Sequence, residues 1–391
     1  MRFAIFHVPT STGPDDDRAV IDLTIEQSLL ADELGFSAIF FPEHHFTNYS
    51  PMGSDPMAMA AYLAPQLRQA WLGFAIIVAP LNHPARIVER CNLLDQLARG
   101  RSLFAIGSGF HPVEFAGLGL HPDEAKSGLA DQVVDVALQL WDRSPEDPPF
   151  SFAAGPYKGT VFNRIMPAPY SGTRPHLMGT SVREAGTIRA AQQGWPVFYL
   201  NTGDPRAHDD LVRRVRLYRD TLEGAGHDAA TIAHCLDWSS SHSILTVVAE
   251  TDEQAEREAA IALEGHKRNL DRQQAWIVEA SKAAGVDAPS APRFDPLSQN
   301  FKDFACLIGS PDTVAAKLRP LHELGIGLAN MSFNLGMPQD AERRRLAEKW
   351  MRLFAAEVMP QLAGRPSAVD WDRYGARAEG RAADMEIAQV V

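Results

Sequence analysis

Cysteine is scarce in this chain: Cys91, Cys235 and Cys306 are the only three among 391 residues, far apart and never in CxxC spacing. That excludes a disulfide framework and a cysteine-built zinc site, and it suits a reducing compartment. Basic charge is also short, with 37 Lys+Arg against 49 Asp+Glu and a net charge of −12. Nucleic-acid binding and docking on an anionic membrane both call for a basic patch, so neither partner is expected. No apolar run approaches the roughly 18 residues that cross a bilayer. The opening residues Met1 to His7 read as a strand rather than a signal peptide, so a cytoplasmic protein is the expectation.

What the chain does have is alternation. Short apolar runs at residues 3–7, 38–41, 72–79, 103–106, 176–178, 197–200, 243–248 and 328–333 read as strands. Amphipathic stretches at 18–34, 56–67, 84–98, 123–140, 182–193, 208–223, 313–324 and 342–359 read as helices. Gly35 and Gly100 follow the first and third as left-handed caps. Near-continuous apolar strands separated by helices indicate a parallel sheet, and eight such units predict an α/β fold closed as a (β/α)8 TIM barrel. An open doubly wound sheet is the alternative. The barrel takes up residues 1–364 as one domain, with insertions at about 143–174 and 264–303 and a charged, alanine-rich tail at 365–391. Within the first insertion, residues 150–152 and 160–162 form a possible hairpin. The second is placed to emerge at the C-terminal face, where long loops often serve as lids.

Chemistry-bearing residues gather where these strands end. Glu43-His44-His45-Phe46 follows the second strand, and imidazole can move a proton, bind a metal or hold an anion near neutral pH. Adjacent histidines on an extended segment point opposite ways, and neither HxH nor HExxH occurs elsewhere, so no metal site is expected. His83, His111 and His242 are the other histidines considered as ligands. Gly107-Ser108-Gly109-Phe110 follows the fourth strand. It lacks the flanking glycines of a nucleophile elbow, and Pro112 stands at the third glycine position of a dinucleotide fingerprint. What remains is a backbone that a flat or phosphorylated ligand can approach closely. Gly179-Thr180-Ser181 opens a helix, either as a phosphate cradle on unpaired amides or as an ordinary N-cap; taken alone, the residues favour the cap.

Taken in order, Glu43-His44-His45-Phe46, Gly73 to Val78, His83-Pro84, Asn92 to Leu97 and Gly100-Arg101 resemble the bacterial luciferase-like flavin monooxygenases. The resemblance runs over about residues 1–360, through His234-Cys235-Leu236 to Val358-Met359-Pro360. It implies a usually dimeric barrel that binds reduced FMN at its C-terminal mouth, the FMN being delivered by a separate NAD(P)H:flavin reductase. Oxygen then adds at the flavin C4a as a (hydro)peroxide that oxygenates a small apolar organic substrate. By the same resemblance His44 is the catalytic histidine and Glu43 supports the loop and the flavin. Ala75 and Ile76 pack on the ring through what is commonly a cis peptide, Ser108 lies in the flavin-approaching turn, and Thr180 and Ser181 hold the phosphate. The light-emitting subunit has cysteine-arginine where this chain has Gly107-Ser108, so backbone amides or Arg183 would hold the phosphate instead. It also has serine-tryptophan where this chain has Leu200-Asn201, so its aldehyde substrate and light emission do not carry over with the flavin positions. Phe46, Phe110, His111 and Phe198 are candidates for the substrate pocket. The alternatives are a deazaflavin-coenzyme oxidoreductase, a non-catalytic flavin-binding companion subunit and a metal hydrolase. The luciferase companion replaces the first histidine with asparagine, and His44 is retained here.

Overall fold

The computed structural model describes residues 1–47, 50–125, 127–172, 174–181, 183–199, 205–242, 245–287, 295–337, 340–364 and 369–371. Eight parallel strands close into a barrel: Arg2–Phe6, Ala38–Phe41, Trp71–Val78, Ser102–Gly107, His176–Thr180, Val197–Tyr199, Ser240–His242 and Leu328–Met331. The first strand pairs with the second on one side and the eighth on the other, with Ala4 opposite Ala38 and Asn330. The Met1 ammonium donates to the Leu362 carbonyl at 2.8 Å, tying the first strand to the short helix Met359–Leu362. Among the described residues no helix is long and apolar enough to cross a membrane.

Strand faces alternate, so every second residue enters the barrel. Ala4, Phe6, Phe40, Ala105, Met178, Phe198 and Leu328 pack together there. The filling is complementary in size: a Cβ at Gly73 would fall 2.5 Å from the Phe40 ring. The opposite faces join a larger core under the helices. At the N-terminal end, Trp71 and Trp238 lie 4.4 Å apart between ring centroids, His176 and His234 4.9 Å apart, and the Arg2 guanidinium covers Trp238 at 5.1 Å. These rings plug the bottom of the barrel.

Several residues that carried the family pattern turn out to be braces. Asp95 accepts from the Ser102 hydroxyl at 2.6 Å and from the Ser171 amide at 2.8 Å. Asn92 accepts from the Trp141 indole at 2.7 Å, and Arg101 donates to the Ala70 carbonyl at 2.7 Å. They tie helix Pro84–Ala98 to the following strand, to the first insertion and to helix Leu129–Trp141, and fasten the turn after it to the start of the third strand.

Two predicted elements are corrected. The seventh barrel strand is Ser240–His242, not 243–248. Of that run, Leu245–Val248 pairs in parallel with Cys306–Gly309 in a separate two-stranded sheet, and residues 243 and 244 lie outside the described residues. Apolar character reports burial, and here the buried apolar strand lies outside the barrel while a polar one completes it. The left-handed reversal after helix Pro84–Ala98 begins at Arg99 (φ 53°) and continues at Gly100 (φ 80°). Gly35 caps helix Pro14–Leu34 as expected.

In the first insertion, Phe150–Ala154 and Tyr157–Val161 form an antiparallel hairpin. The second region belongs to a 33-residue helix, Asp252–Ala284, that begins before residue 264, followed by helix Gln299–Ala305. Residues 288–294 lie outside the described residues, as does all of the tail except 369–371.

Candidate active site

The segment after the second strand is held by two carboxylates. Glu43 is buried, and its Oε2 accepts from the Val78 amide at 2.7 Å. Its Oε1 takes Asn82 Nδ2 at 2.9 Å and His45 Nε2 at 3.1 Å. The Glu43 amide donates to the Ile76 carbonyl at 3.3 Å, so this residue braces the second strand's loop against the end of the third. Burial alone would lower the basicity of His45; the Glu43 hydrogen bond and charge outweigh it and raise the pKa.

The second carboxylate is Glu114, on helix Pro112–Gly117 after the fourth strand. Its Oε1 lies 2.8 Å from His44 Nδ1 and accepts from the His45 amide at 3.1 Å. Burial pushes the Glu114 carboxyl up, but His44, His111 and the His45 amide together bring it below its ordinary value. An ionised Glu114 requires Nδ1 of His44 to carry the proton, which makes Nε2 the basic nitrogen of the neutral ring. The His44 side chain is 13% exposed against 2% for Glu114, so the imidazole reaches the mouth and its carboxylate does not. His111 lies beside this couple, almost fully buried, and burial lowers its pKa to about 4.

The third strand carries a cis peptide between Ala75 and Ile76, and its pairing with the fourth strand shifts register between Ala75 and Ile77. Ile76 is partly exposed at this bulge. A Cβ at Gly107 would lie 2.8 Å from Ile76 Cδ1 and 3.4 Å from Thr180 Cγ2. Ile76, Gly107 and Thr180 therefore stand in a row across the third, fourth and fifth strands. Ser108, Gly109 and Phe110 are partly exposed beside them, and the Phe110 and His44 rings are 6.5 Å apart. The turns after strands two to five thus meet at one end of the barrel.

Thr180 and Ser181 part company. Thr180 is partly exposed, and the start of helix Glu184–Gln193 is pressed against it: a Cβ on Gly186 would come within 2.7 Å of the Thr180 carbonyl. The helix N-cap, Arg183, is exposed and makes no side-chain cap, so the first-turn amides are not occupied by a capping side chain. Ser181 corrects the expectation of two presented hydroxyls. It is fully buried, its Oγ lies 2.8 Å from Thr187 Oγ1, and Arg214 holds its carbonyl. Its side chain is spent on seating the helix.

Phe198 enters the barrel interior, whereas Phe46 is 59% exposed and faces an open groove of about 410 Å3 with Val113, Ala116, Gly117, Trp276 and Ala280. Leu200 and Asn201 lie outside the described residues. His83 packs edge-on against Phe152 and Tyr157 rather than near His111 or His242. Among the described residues no three His, Cys, Asp or Glu side chains are placed to hold a metal. Sequence reasoning missed Glu114. It is 70 residues from His44, and nothing in its helical surroundings marks it as that histidine's partner.

Limonene 1,2-monooxygenase of Rhodococcus erythropolis is 25% identical over 93% of this chain and 87% of its own length. The alkanal monooxygenase alpha chain of Photorhabdus luminescens is 26% identical over 62% of this chain, and the chain spans 64% of that relative's length, under two thirds. The FMN complex of the oxygenating constituent of 3,6-diketocamphane monooxygenase from Pseudomonas putida shares the fold, with TM-score 0.70, 19% identity and coverage of 93% of this chain and 99% of that one. So does the coenzyme F420-dependent tetrahydromethanopterin reductase of Methanopyrus kandleri, with TM-score 0.60, 16% identity and coverage of 92% and 99%. The family model for luciferase-like monooxygenases matches residues 1–327, and the chain belongs to that family.

Proposed function

We propose that this protein is the oxygenating component of a two-component, FMN-dependent monooxygenase acting on a small organic substrate. The observation that carries this reading is the His44–Glu114 couple, opening on the same mouth as the Ala75–Ile76 bulge and Thr180. The residues fit a flavin. Ile76 and the side-chain-free Gly107 offer a flat apolar wall for a planar ring. Thr180, Ser108 and the uncapped amides of helix Glu184–Gln193 offer neutral donors to a phosphate, in a place where Ser181 does not.

When bound, reduced FMN supplies the electrons that activate O2. The chain's own residues do the rest. Glu43 keeps the second and third strand ends in register, Glu114 holds His44 in one tautomer, and His44 Nε2 takes or returns a proton at the mouth. No dinucleotide fingerprint occurs in the sequence, which supports a separate NAD(P)H:flavin reductase as the electron source. A homodimer is part of the same reading.

Replacing His44 with alanine should lower product formed per reduced flavin by about 10²-fold or more, the size of a lost general acid–base. Unchanged rate and coupling would remove His44 from the mechanism. Parallel titrations with FMN and the deazaflavin coenzyme decide the cofactor, since the family fold also serves F420-dependent enzymes. Tighter binding of the deazaflavin would overturn the FMN assignment.

A further inference from the structure

The far wall of the barrel carries polar groups that the flavin reading leaves unused. Round the barrel the strands run in the order 1-8-7-6-5-4-3-2, so the seventh strand stands opposite the third and the eighth opposite the fourth. On that wall His242 and Asn330 are register partners. Leu328, two residues before Asn330, packs in the barrel interior with Ala4 and Phe198, so Asn330 faces inward as well. The His242 ring lies 4.6 Å from Phe6 and 6.4 Å from Phe198, among the aromatics of the upper interior.

Asn330 is fully buried, yet neither its Nδ2 nor its Oδ1 has a hydrogen-bond partner among the described residues. The same is true of His242 Nδ1 and of the Ser240 hydroxyl, one step lower on the seventh strand. Burial lowers the His242 pKa to about 3, so the ring is neutral at physiological pH. A buried polar atom without a partner is a cost that folded proteins rarely retain unless something else satisfies it. Here donors and acceptors, all uncharged, stand among the apolar side chains of the barrel interior.

We propose that Asn330, with His242 beside it, is the substrate-recognition sector of this site, and that it selects a neutral organic molecule bearing a carbonyl or hydroxyl oxygen. This deepens the monooxygenase reading and rests on it: a flavin against the third-strand wall leaves the substrate between the ring and the seventh and eighth strands. An uncharged amide and imidazole stabilise a neutral dipole and offer a carboxylate or ammonium group no counter-charge. The apolar rings around them take the hydrocarbon body.

The test uses Asn330→Leu, which keeps the volume and removes the amide. Calorimetric titration of FMN-loaded protein with cyclohexanone and with methylenecyclohexane should give the wild type about a tenfold preference for the ketone, the worth of one buried hydrogen bond. The variant should bind the two equally. Thermal unfolding without ligand should show the variant at least as stable as the wild type, because an unsatisfied amide has been removed. Absence of ketone preference in the wild type, its persistence in the variant, or a clear fall in the variant's Tm would overturn the proposal, the last by showing that Asn330 is a structural anchor. FMN titration of the same samples separates the two readings. Wild type that binds no FMN defeats the flavin site, whereas equal FMN binding without ketone selectivity defeats this sector alone.

Discussion

The two ends of the barrel each hold a pair of histidines, and the pairs are opposites. At the mouth His44 and His45 each lie against a carboxylate, Glu114 and Glu43 respectively. At the bottom, His176 and His234 face each other and two tryptophans, with Arg2 above one indole. The carboxylates raise the pKa of His45, while burial lowers both His176 and His234, the latter to about 4 and with the charge of His176 adding to the effect. The same side chain thus sits against a carboxylate at one end and within an aromatic plug at the other. The difference lies in what is packed beside it, in line with chemistry at the C-terminal face of such barrels and stability at the N-terminal face.

The sharpest break of this contrast is at the plug. Trp238→Ala should cost about 3–5 kcal/mol of stability, as for other large-to-small changes in a core, and leave the turnover of folded molecules intact. Denaturant unfolding alongside activity per folded molecule measures both, and lost turnover at full stability would contradict a purely structural bottom. Next comes the mouth. Glu114→Gln keeps the shape and removes the charge, and should lower turnover by about 10²-fold, or about 2.7 kcal/mol, with little change in unfolding midpoint. Its pH–rate profile should shift as well, because the carboxylate at His44 Nδ1 is no longer ionisable; an unmoved profile would mean that Glu114 only fills space.

The smallest effect is on pH. His234 has a folded pKa of about 4 against an ordinary 6.5, so below 6.5 the unfolded chain takes up a proton that the folded one refuses. Its stability contribution is therefore present above 6.5 and drains away as pH falls towards 4. His234→Phe should flatten that acid limb. His45 works in the opposite sense: its raised pKa stabilises the fold fully below 6.5 and the benefit is lost as pH rises above it, so His45→Gln should lower stability below 6.5 and flatten the loss above it. Unfolding midpoints measured from about pH 4 to about pH 8 would show the His234 slope below 6.5 and the His45 slope above it, and slopes of the same sign would end the comparison.

Legibility in the sequence followed the range of the forces involved. Phe40 and Phe41 announced a buried strand, and Glu43-His44-His45 directly after it announced a site, because both signals are local. The hairpin at Phe150–Ala154 and Tyr157–Val161 was readable from alternation and turn residues. Ser240–His242 was not, because a strand of two serines and a histidine lacks the apolar character that the neighbouring Leu245–Val248 displays. Ser181 looked like half of a cradle until Thr187, six residues on, was seen to occupy its hydroxyl.

The chain's own order of residues determined that strands and helices alternate, that the strands are buried, and that two histidines and a glutamate stand where the second one ends. Hydrophobic periodicity and turn chemistry act over a few residues, so a linear reading captures them. Closure of the barrel decided the rest: Glu114 came to His44 across 70 positions, Gly107 settled between Ile76 and Thr180, and the Asn330 side chain was left facing inward with no hydrogen-bond partner among the described residues. Those outcomes depend on register and packing among distant strands, which no local pattern encodes.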